Sequence, residues 1–573
     1  MAEARRLRRR PAVPEQGLPA TLHPVLRRVY AQRGLRDGRE LQLDLSGLLP
    51  PDGLLGIGAA STALAAAIRE GRRIVLAGDY DADGATGVAL GVLGLRALGA
   101  RDPGYVVPDR LTMGYGLSPA LVEAALAQGA ELVLTVDNGI ASLAGVAHAN
   151  ARGLPVLISD HHLAGPELPA ALAIVNPNQP GCPFASKHLA GVGVLFYLLL
   201  ATRSRLREAA DWFGPARPEP NLAAFLDLVA LGTVADLVRL DHNNRILVQQ
   251  GLLRMRAGRL RPGLAALLQV AGRDPARLSA ADLGFVLGPR LNAAGRLENI
   301  RLGIDCLLGE DPAAVLAQAR ELDAINRSRR ERQAQMSEEA EQLAGAQPDG
   351  QVGLCLFHPD WHEGVVGLVA SRLKERWHRP AVAFARAQTP GLLKGSARSL
   401  AGLHLRDALA EVDAAHPGLI ERFGGHAMAA GLSLPEAHLD RFAAAFDAVC
   451  RRHLRAEDLE PAVDSDGELG SAELTLDSAL ALEQAGPWGQ GFPEPVFDGR
   501  FEVLESRRIG ADGSHVKYRL RGPGGEVEAV DFGGAERQIA PGGWLRAAYG
   551  LSVNRWQGRE RLDLQLRWLS ADG

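Results

Sequence analysis

Short apolar segments alternate with helical patterns from about residue 73 onward. The segments predicted as strands are residues 73–77, 105–107, 132–136 and 155–158. Residues 84–98 and 142–152 have helical patterns, and Ser118-Pro119 is typical of an N-cap followed by a first-turn proline. Because these strands are apolar throughout rather than alternately polar, they predict a parallel sheet that is covered on both faces.

Acidic residues and histidines follow three of these strands at the point where each strand ends. They are Asp79, Asp81 and Asp83 after the first strand, Asp137 after the third, and Asp160, His161 and His162 after the fourth. Ligands of open α/β sheets bind outside the carboxyl ends of the strands. Three carboxylates within five residues repel one another, most strongly where water is partly excluded, so we expect a cation among them. Asp236 is a further acid in an apolar segment.

Carboxylate and imidazole ligands suit Mg²⁺ or Mn²⁺, and the imidazoles favour Mn²⁺. Five or more carboxylates exceed the charge of one ion, so we predict two ions that share an aspartate. Two ions about 3.5–4 Å apart activate water and hold a phosphoryl group for in-line displacement. Each motif alone is also typical of a turn, an N-cap or a polar surface, but their joint position favours the metal site.

Composition limits the remaining possibilities. With 573 residues, of which 47% are hydrophobic and 23% charged, the chain is long enough for three or four globular domains and is not disordered. The four cysteines have no paired spacing, which argues against disulfides and structural zinc and favours a reducing compartment. A net charge of −4 gives no general attraction to DNA, so any nucleic-acid site must be local.

No segment is predicted to contact a membrane. The longest apolar run, residues 189–201, is shorter than the ~20 residues that span a bilayer. Residues 1–10 are rich in arginine but are not followed by the apolar segment of a secretion signal, and we expect them to form a solvated basic tail. We therefore expect a cytoplasmic protein.

The remaining segments predict further helices, a second α/β region and a group of short strands. Residues 221–237 predict a buried helix, and residues 305–346 predict one long charged helix suited to a connector. A second α/β region covers residues 352–454, beginning with an apolar strand at 352–357. Five short strands follow, at residues 501–506, 515–520, 527–532, 544–553 and 561–569. Five such strands predict a small β-barrel.

Several motifs resemble a known superfamily. Residues 79–84, 137–139, 160–162 and 232–236 are similar to the motifs of the DHH phosphoesterases. A closer similarity, to the RecJ family of single-strand-specific DNA exonucleases within that superfamily, rests on residues 175–180, 189–194, 289–296, 361–367, 424–431 and 486–497. Together these motifs span about residues 75–500. Gly87 is one departure, since many relatives are expected to have serine there, and it affects helix packing rather than a ligand.

The resemblance implies an α/β protein of several parts. They are a DHH domain with a parallel sheet, a long connecting helix, a smaller DHHA1 α/β domain and a C-terminal OB-like β-barrel. The boundaries we expect are 1–45 for an N-terminal segment, 46–245 for the DHH catalytic domain, 246–345 for the helical connector, 346–458 for the DHHA1 domain and 459–573 for the barrel.

The resemblance also implies a role for each residue of the acidic and histidine set. The implied metal ligands are Asp81, Asp83, Asp137, His161 and Asp236, with Asp137 as the bridge. Asp79 is either a ligand or a neighbour of the ligands. His162 would face the scissile phosphate, and Asp160 would orient a histidine.

A second set is implied to hold the strand and its 5′ phosphate. It consists of Arg290, Asn292, Arg296, Lys394, Ser396, Arg398 and His426. Arginine's planar fork suits phosphate, and the lysine, hydroxyls and backbone amides of residues 394–399 suit an anion. Without the resemblance, these residues are equally typical of surface arginines, a polar loop, and a glycine turn with a buried histidine.

The predicted barrel contains aromatic residues among basic ones. The aromatics are Phe501, Tyr518, Trp544, Tyr549 and Trp556. Aromatic rings beside a basic groove stack the bases of single strands in OB folds. The same rings could instead form the barrel core, with the cations solvated, and acids in the same stretch offset many of the bases.

The resemblance implies a metal-dependent 5′→3′ exonuclease with two Mn²⁺ or Mg²⁺ ions. It would degrade single-stranded DNA to 5′-mononucleotides in DNA repair and recombination, as a monomer, with single-strand-binding protein and a helicase as expected partners. One alternative is a phosphodiesterase of short oligonucleotides, cyclic dinucleotides or polyphosphate, against which the predicted barrel argues. The other is a non-catalytic DNA-binding scaffold, against which the complete acidic and histidine set argues.

Overall fold

The computed structural model describes residues 6–108, 116–209, 211–345 and 350–572. In chain order its strands are β1 Arg6–Arg9, β2 Ile74–Ala77, β3 Gly104–Val106, β4 Leu132–Thr135, β5 Val156–Ser159, β6 Ala173–Val175, β7 Leu354–Phe357, β8 Ala381–Arg386, β9 Leu392–Arg398, β10 Arg422–Gly425, β11 Ala429–Pro435, β12 Ala462–Ser465, β13 Phe497–Ile509, β14 His515–Gly522, β15 Gly525–Asp531, β16 Trp544–Trp556 and β17 Arg559–Ala571. Its helices are α1 Pro24–Gln32, α2 Ile57–Arg69, α3 Ala82–Leu98, α4 Pro119–Ala127, α5 Leu143–Ala151, α6 Gly191–Glu208, α7 Leu226–Ala235, α8 His242–Arg256, α9 Pro262–Val270, α10 Ala280–Asp282, α11 Gly288–Leu297, α12 Arg301–Leu308, α13 Pro312–Gly345, α14 Val366–Trp377, α15 Leu405–Ala415, α16 Leu439–His453 and α17 Leu476–Gln484.

The chain divides into two compact units. The first unit contains Ala12–Asn326 and Asp477–Pro495. The second unit contains Arg327–Leu476, Val496–Gly573 and the described part of Met1–Pro11. Helix α13 therefore begins in the first unit and ends in the second.

A five-stranded parallel sheet in the order β3-β2-β4-β5-β6 organises the first unit. Successive side chains of a strand point to opposite faces. Val75 and Ala77 of β2 pack with Val122 of α4 and Val146 of α5 on one face. On the other face, Leu76 lies so close to α3 that a side-chain carbon at Gly91 would be 2.1 Å from it. Both faces are covered, which confirms the sheet type predicted from the continuous apolar strands.

Two helix predictions are wrong in detail. The single helix predicted over residues 305–346 is two helices, because α12 ends at Leu308 and Pro312 begins α13. Proline suits the first turn of a helix but disrupts its interior, so it separates the two segments. The helix predicted over residues 221–237 begins as a 3₁₀ turn, Leu222–Phe225, and continues as α7 only to Ala235. Strand β6, only three residues long, was not predicted.

The second unit contains a mixed sheet and a barrel. The sheet has the order β10-β11-β9-β8-β7, in which only the β7–β8 pair is parallel. Its core includes Phe384 of β8, Leu409 of α15 and Phe442 and Phe446 of α16. Strands β13-β14-β15-β17-β16 form a closed barrel, with β15 and β17 parallel. The five-stranded barrel is thereby confirmed, and all five of its strands are longer than predicted.

The arginine-rich start is not a solvated tail over the residues that are described. Strand β1 pairs in parallel with β12. Arg8 Nε lies 2.6 Å from Asp464 Oδ1, and Arg9 lies 2.6 Å from the fully buried Asp498 carboxylate. Acids on the partner strands therefore offset the positive charge of this segment.

Among the described residues, no single helix is both long and apolar enough to cross a bilayer. One bent pair of segments, Leu45–Gly53 and Ile57–Arg69, is long and apolar enough when the two are taken together.

Candidate metal centre

The acidic loop after β2 is held by the N-termini of two helices. Asp81 is the N-cap of α3, and its carboxylate accepts a hydrogen bond of 3.0 Å from the N–H of Gly84. Asp83 is buried in the first turn of the same helix. Its two carboxylate oxygens accept hydrogen bonds from the N–H groups of Gly191 and Val192, at 2.6 and 2.9 Å. These are the first residues of α6, where unsatisfied N–H groups favour an anion.

Asp137 follows β4 in a left-handed backbone conformation with a φ of 64°. Its neighbour Asn138 stabilises the turn, because the Asn138 amide donates to the carbonyls of Ala77 and Val136. The hydroxyl of Thr135 donates to the carbonyl of Asn138 at 2.7 Å. A left-handed aspartate is uncommon, and such conformations cluster at functional sites.

Asp160 fixes the histidine pair after β5. Its Oδ1 accepts hydrogen bonds from the N–H groups of His161 and His162 at 2.7 and 3.1 Å. The same oxygen lies 2.8 Å from His162 Nδ1, and Oδ2 accepts from the N–H of Ile140. These contacts hold the ring of His162 in one orientation; the functional role implied for Asp160 stays a prediction.

The structure brings the predicted ligands together. His161 Nε2 lies 3.0 Å from Asp137 Oδ1, 3.5 Å from Asp236 Oδ2 and 4.0 Å from Asp83 Oδ2. Three overlapping sets of ligand atoms each lie within 4.8 Å of one another: Asp83, His161 and Asp236; Asp137, His161 and His162; and Asp79, Asp81 and Asp137. Hard oxygen atoms with one or two imidazoles are a donor set suited to Mn²⁺ or Mg²⁺. The residues present thus fit a divalent metal centre, with Asp137 common to two of the sets.

The pKa values of the buried aspartates reflect the negative charge that is gathered in the site. Burial raises the pKa of Asp83 to about 7, and the charge of Asp81 acts in the same direction. Burial, followed by the neighbouring aspartates, raises the pKa of Asp137 and Asp236 well above the ordinary range. These carboxylates cannot all ionise side by side without a compensating cation, and divalent ions supply that charge.

The same negative charge favours the protonated, positively charged form of His162. Burial alone lowers the pKa of His162, but the hydrogen bond to Asp160 and the charges of Asp160, Asp79 and Asp81 outweigh it and raise the pKa to about 8. Burial opposes ionisation of Asp160, yet the two histidines hold its pKa below the usual value. Both shifts favour the charged forms of Asp160 and His162.

Three glycines allow the close packing of this centre, and no role was predicted for them. A side-chain carbon at Gly191 would lie 2.5 Å from Cβ of Asp137, and one at Gly232 would lie 2.9 Å from Oδ1 of Asp83. A side-chain carbon at Gly295 would lie 1.8 Å from the carbonyl oxygen of Tyr80. All three lie in the motifs that carry the family resemblance, and those motifs were the only sequence signal that could have indicated a role for them.

Helix α11 connects the predicted phosphate-binding segment to the acidic loop. Asn292 Oδ1 accepts a hydrogen bond of 2.8 Å from the N–H of Ala82, so it also holds the loop that carries the aspartates. Arg290 is buried, lies 2.9 Å from Asp323 and donates to the carbonyl of Val286. The alternative of a surface arginine is therefore wrong for Arg290. Arg296 is half-buried at the end of the same helix.

Three predicted residues of the second unit lie on one face of β9. Lys394, Ser396 and Arg398 alternate with buried residues along the strand. Arg398 donates to the hydroxyl of Ser396 at 3.0 Å, and Lys394 Nζ lies 2.8 Å from Glu363. Gly431 of β11 is the register partner of Ser396, and Gly424 of β10 is the partner of Gly431. The strands beside Ser396 therefore expose backbone rather than side chains.

His426 follows β10 and is exposed. Its N–H donates to the carbonyl of Ala429 at 2.8 Å, which closes the turn between β10 and β11. The alternative of a buried histidine in a glycine turn is therefore wrong, and the imidazole is accessible to a ligand.

Most of the predicted barrel aromatics belong to its core. Phe501, Tyr518 and Tyr549 are at most 1% exposed, whereas Trp544 is 41% exposed and lies under the guanidinium of Arg500. The side chain of Trp556 lies outside the described residues. Several barrel cations are paired with acids, including Lys517 with Glu528. The core interpretation of the rings is therefore correct for three of them.

Comparison with known families and proteins identifies relatives along the whole chain. The DHH family N-terminal domain matches residues 73–233, the DHHA1 domain matches residues 349–452, and the RecJ OB domain matches residues 465–567. The chain is 53% identical over 571 residues to the single-stranded-DNA-specific exonuclease RecJ of Dickeya dadantii, covering 98% of each chain. It is 49% identical over 572 residues to RecJ of Escherichia coli, covering 98% of this chain and 99% of that protein.

A solved structure agrees with the fold. The crystal structure of RecJ from Thermus thermophilus in complex with Mn²⁺ superposes with a TM-score of 0.83 at 32% identity. The superposition covers 99% of this chain and 80% of that one.

Proposed function

The chain belongs to the RecJ family of single-stranded-DNA-specific exonucleases, and on this premise we propose that it hydrolyses single-stranded DNA from the 5′ end to 5′-mononucleotides. The observation that carries the proposal is the convergence of His161, Asp137, Asp83 and Asp236 within about one coordination sphere. A chain that had lost the activity and kept only DNA binding would not need this set.

We propose that Asp81, Asp83, Asp137, His161 and Asp236 hold two Mn²⁺ or Mg²⁺ ions. The donor atoms support this assignment, and Asp137 belongs to two of the three sets of ligand atoms. When bound, such a pair of ions supplies an activated water and neutralises charge on a phosphoryl group.

The protein groups around the ions have separate tasks in the proposal. Asp160 holds the imidazole of His162 in one orientation, so that the ring can face the scissile phosphate. Asn292 fixes the N–H of Ala82 and so keeps the acidic loop in place. The helix N-terminus at Gly191 and Val192 holds the carboxylate of Asp83. These contacts fix the ligands before the substrate arrives, which reduces the reorganisation needed in the transition state.

A second group is proposed to hold phosphates. In the second unit, Lys394, Ser396, Arg398 and the exposed His426 would bind the 5′-terminal phosphate, supported by the accessible backbone of Gly424 and Gly431. In the first unit, Arg290 and Arg296 of α11 would contribute positive charge towards the phosphates, with Arg290 held in place by Asp323.

The family resemblance alone supports the wider setting. On that basis we propose that the protein acts as a cytoplasmic monomer in DNA repair and recombination, together with single-strand-binding protein and a helicase. The extent of each domain, with boundaries near residues 45, 245, 345 and 458, is also proposed on that basis.

The test is degradation of single strands labelled at either end, in the presence of Mn²⁺. We expect the 5′ label to be released first, as a mononucleotide, and EDTA to stop the reaction. Asp137→Asn is the matched variant, because asparagine tolerates the left-handed backbone but cannot bridge two cations. It should lose hydrolysis by at least ~100-fold and retain DNA binding.

Other outcomes would contradict the proposal. Release of the 3′ label first would overturn the polarity. Hydrolysis of cyclic dinucleotides or very short oligonucleotides with no action on long strands would favour the phosphodiesterase alternative. Binding of DNA without any hydrolysis in Mn²⁺ would favour the scaffold.

A further inference from the structure

Large apolar side chains are exposed beside the metal centre. Among the described residues, the three most exposed large hydrophobic side chains are Phe285 at 74%, Leu237 at 66% and Leu163 at 62%. Leu163 follows His162 directly, and Leu237 follows Asp236 directly. Single exposed apolar residues are ordinary on protein surfaces, but these three, the most exposed of the described part of the chain, adjoin the same candidate site.

Phe285 lies in an unusual backbone segment next to that site. Residues Leu283–Leu287 form a π-helical turn that continues into α11. The turn packs on the end of α7, since a side-chain carbon at Gly284 would be 3.2 Å from Val234 and one at Gly288 would be 3.1 Å from Ala235. Asp236 follows immediately. Single π-helical turns are rare and are frequently found at functional sites.

The accessible stripe of this helix connects Phe285 to the acidic loop. Phe285, Pro289, Asn292 and Arg296 are spaced by four, three and four residues, which places them on one side of a helix. Phe285 is exposed and the other three are half-buried, whereas Leu287, Leu291 and Ala294 between them are buried. Asn292 bonds the N–H of Ala82, between Asp81 and Asp83. The stripe therefore runs past the metal centre.

We propose that Phe285 is a platform on which a nucleobase of the substrate strand stacks, with Leu237 and Leu163 forming the apolar rim of the same site. This inference rests on the proposed function, because it assigns a base-binding position to that substrate. Phe285 and Asn292 are seven residues apart, about 10 Å along a helix. That distance corresponds to about three stacked nucleotides at 3.4 Å each. The stacked base therefore lies within about three nucleotides of the cleaved bond.

The chemistry agrees with an exonuclease that does not select a sequence. Stacking on an aromatic ring requires only the flat face of a base, so it tolerates all four bases. A base paired in a duplex is already stacked between its neighbours and cannot offer that face without being displaced. The platform thus binds single strands in preference to duplexes, independently of the phosphate contacts.

The first experiment compares variants of Phe285 in the full-length protein. We expect Phe285→Ala to raise KM for a single-stranded oligonucleotide by roughly 5- to 150-fold, the range for loss of one stacked base, with a smaller change in kcat. Phe285→Trp should retain binding close to wild type. Leu172→Ala is the matched control, because Leu172 is 56% exposed but precedes β6, at the amino ends of the parallel strands and away from the site.

The second experiment locates the base. Substrates carry one abasic position, moved stepwise inward from the cleaved end. For the wild type, one position within about three nucleotides should weaken binding, whereas Phe285→Ala should be insensitive to the same position. A strand with 2-aminopurine at that position, bound in EDTA, should show fluorescence quenching with the wild type and much less with Phe285→Ala.

The outcomes separate the two claims. If the wild type cleaves no single strand, the proposed function fails, and the 2-aminopurine signal in EDTA still decides whether the platform binds a base. If the wild type is an active exonuclease but Phe285→Ala matches Leu172→Ala in KM, abasic profile and quenching, the platform is wrong while the exonuclease stands.

Discussion

Asp160 lies beside the candidate metal centre, and both of its carboxylate oxygens are engaged in hydrogen bonds. Its two oxygens accept hydrogen bonds from the N–H groups of His161, His162 and Ile140, and they fix the ring of His162. The pattern of an acid followed by two histidines predicted a site but could not assign the acid's role, since that depends on the turn geometry. The resemblance to known phosphoesterases implied the orienting role, which stays a prediction.

Replacing Asp160 with asparagine should separate orientation from ligation. Asp160→Asn keeps the size of the side chain but removes the charge that favours protonated His162. We expect activity to fall by about 10- to 100-fold, as for other residues that orient ligands. In EDTA, NMR titration should show the pKa of His162 shifted downward from about 8. An unchanged His162 titration would contradict the assigned contact.

The buried acids also predict how stability depends on pH when metal is removed. An acid whose pKa is raised in the folded state binds an extra proton there, so the free energy of unfolding falls as pH rises through the interval between the two pKa values. For Asp83 that interval runs from 3.8 to about 7. The raised pKa of His162 acts in the same direction between 6.5 and about 8.

Thermal unfolding in EDTA should therefore give a melting temperature several degrees lower at pH 8 than at pH 6. Mn²⁺ should raise it more at pH 8, because metal and protons compete for the same carboxylates. Asp83→Asn should reduce the pH dependence in EDTA. A melting temperature in EDTA that rises between pH 6 and pH 8 would contradict the charge balance described for this centre.

At the scale of elements, the sequence predicted best what is decided locally. Continuous apolar strands and the N-cap Ser118 identified the sheet and the start of α4, because each depends on neighbouring residues. The junction between Ala82 and Asn292 joins residues 210 positions apart and has no local pattern. Gly87 is comparable: a side-chain carbon there would lie 2.4 Å from Cγ1 of Val136, so the expected serine would require the Val136 side chain or its surroundings to move.

The close contact between Gly191, at the start of α6, and Asp137, after β4, can be tested by substitution. Gly191→Ala would place a methyl group 2.5 Å from Cβ of Asp137 and displace either the helix N-terminus or the ligand. We expect the affinity for Mn²⁺, measured by calorimetry, to fall by at least ~10-fold while the far-UV circular dichroism stays unchanged. Gly58→Ala in α2 is the control, since a side-chain carbon there meets nothing within 4 Å. Equal Mn²⁺ affinities for both variants would contradict the packing argument.

At the scale of the whole molecule, the chain returns to the first unit late in the sequence. Residues Asp477–Pro495 belong to that unit, where Trp488 and Phe492 stack at 5.2 Å and pack beside Tyr30. Gln490 accepts a hydrogen bond from the N–H of Leu240, four residues after Asp236. This segment was predicted to belong to the barrel domain, residues 459–573. Its own sequence gives no indication that it contacts residues such as Tyr30 and Leu240. A truncation meant to remove only the barrel must therefore keep residues 477–495.

Surface variants of the barrel test its separate role without truncation. Phe532 and Trp544 are 60% and 41% exposed on the barrel strands and their connections. The double variant Phe532→Ala/Trp544→Ala should weaken binding of long single strands by roughly tenfold and leave the cleavage rate of very short strands unchanged. Fluorescence anisotropy and single-turnover rates measure the two effects. Equal losses for long and short strands would contradict a guiding role for the barrel.

In the proposed centre, ligands from distant parts of the chain together hold two cations. Anomalous diffraction at the manganese edge, from crystals grown with Mn²⁺, tests it most directly. We predict two peaks about 3.5–4 Å apart, with the carboxylate of Asp137 between them and His161, Asp83 and Asp236 around them. A single peak, or peaks away from these side chains, would contradict the claim.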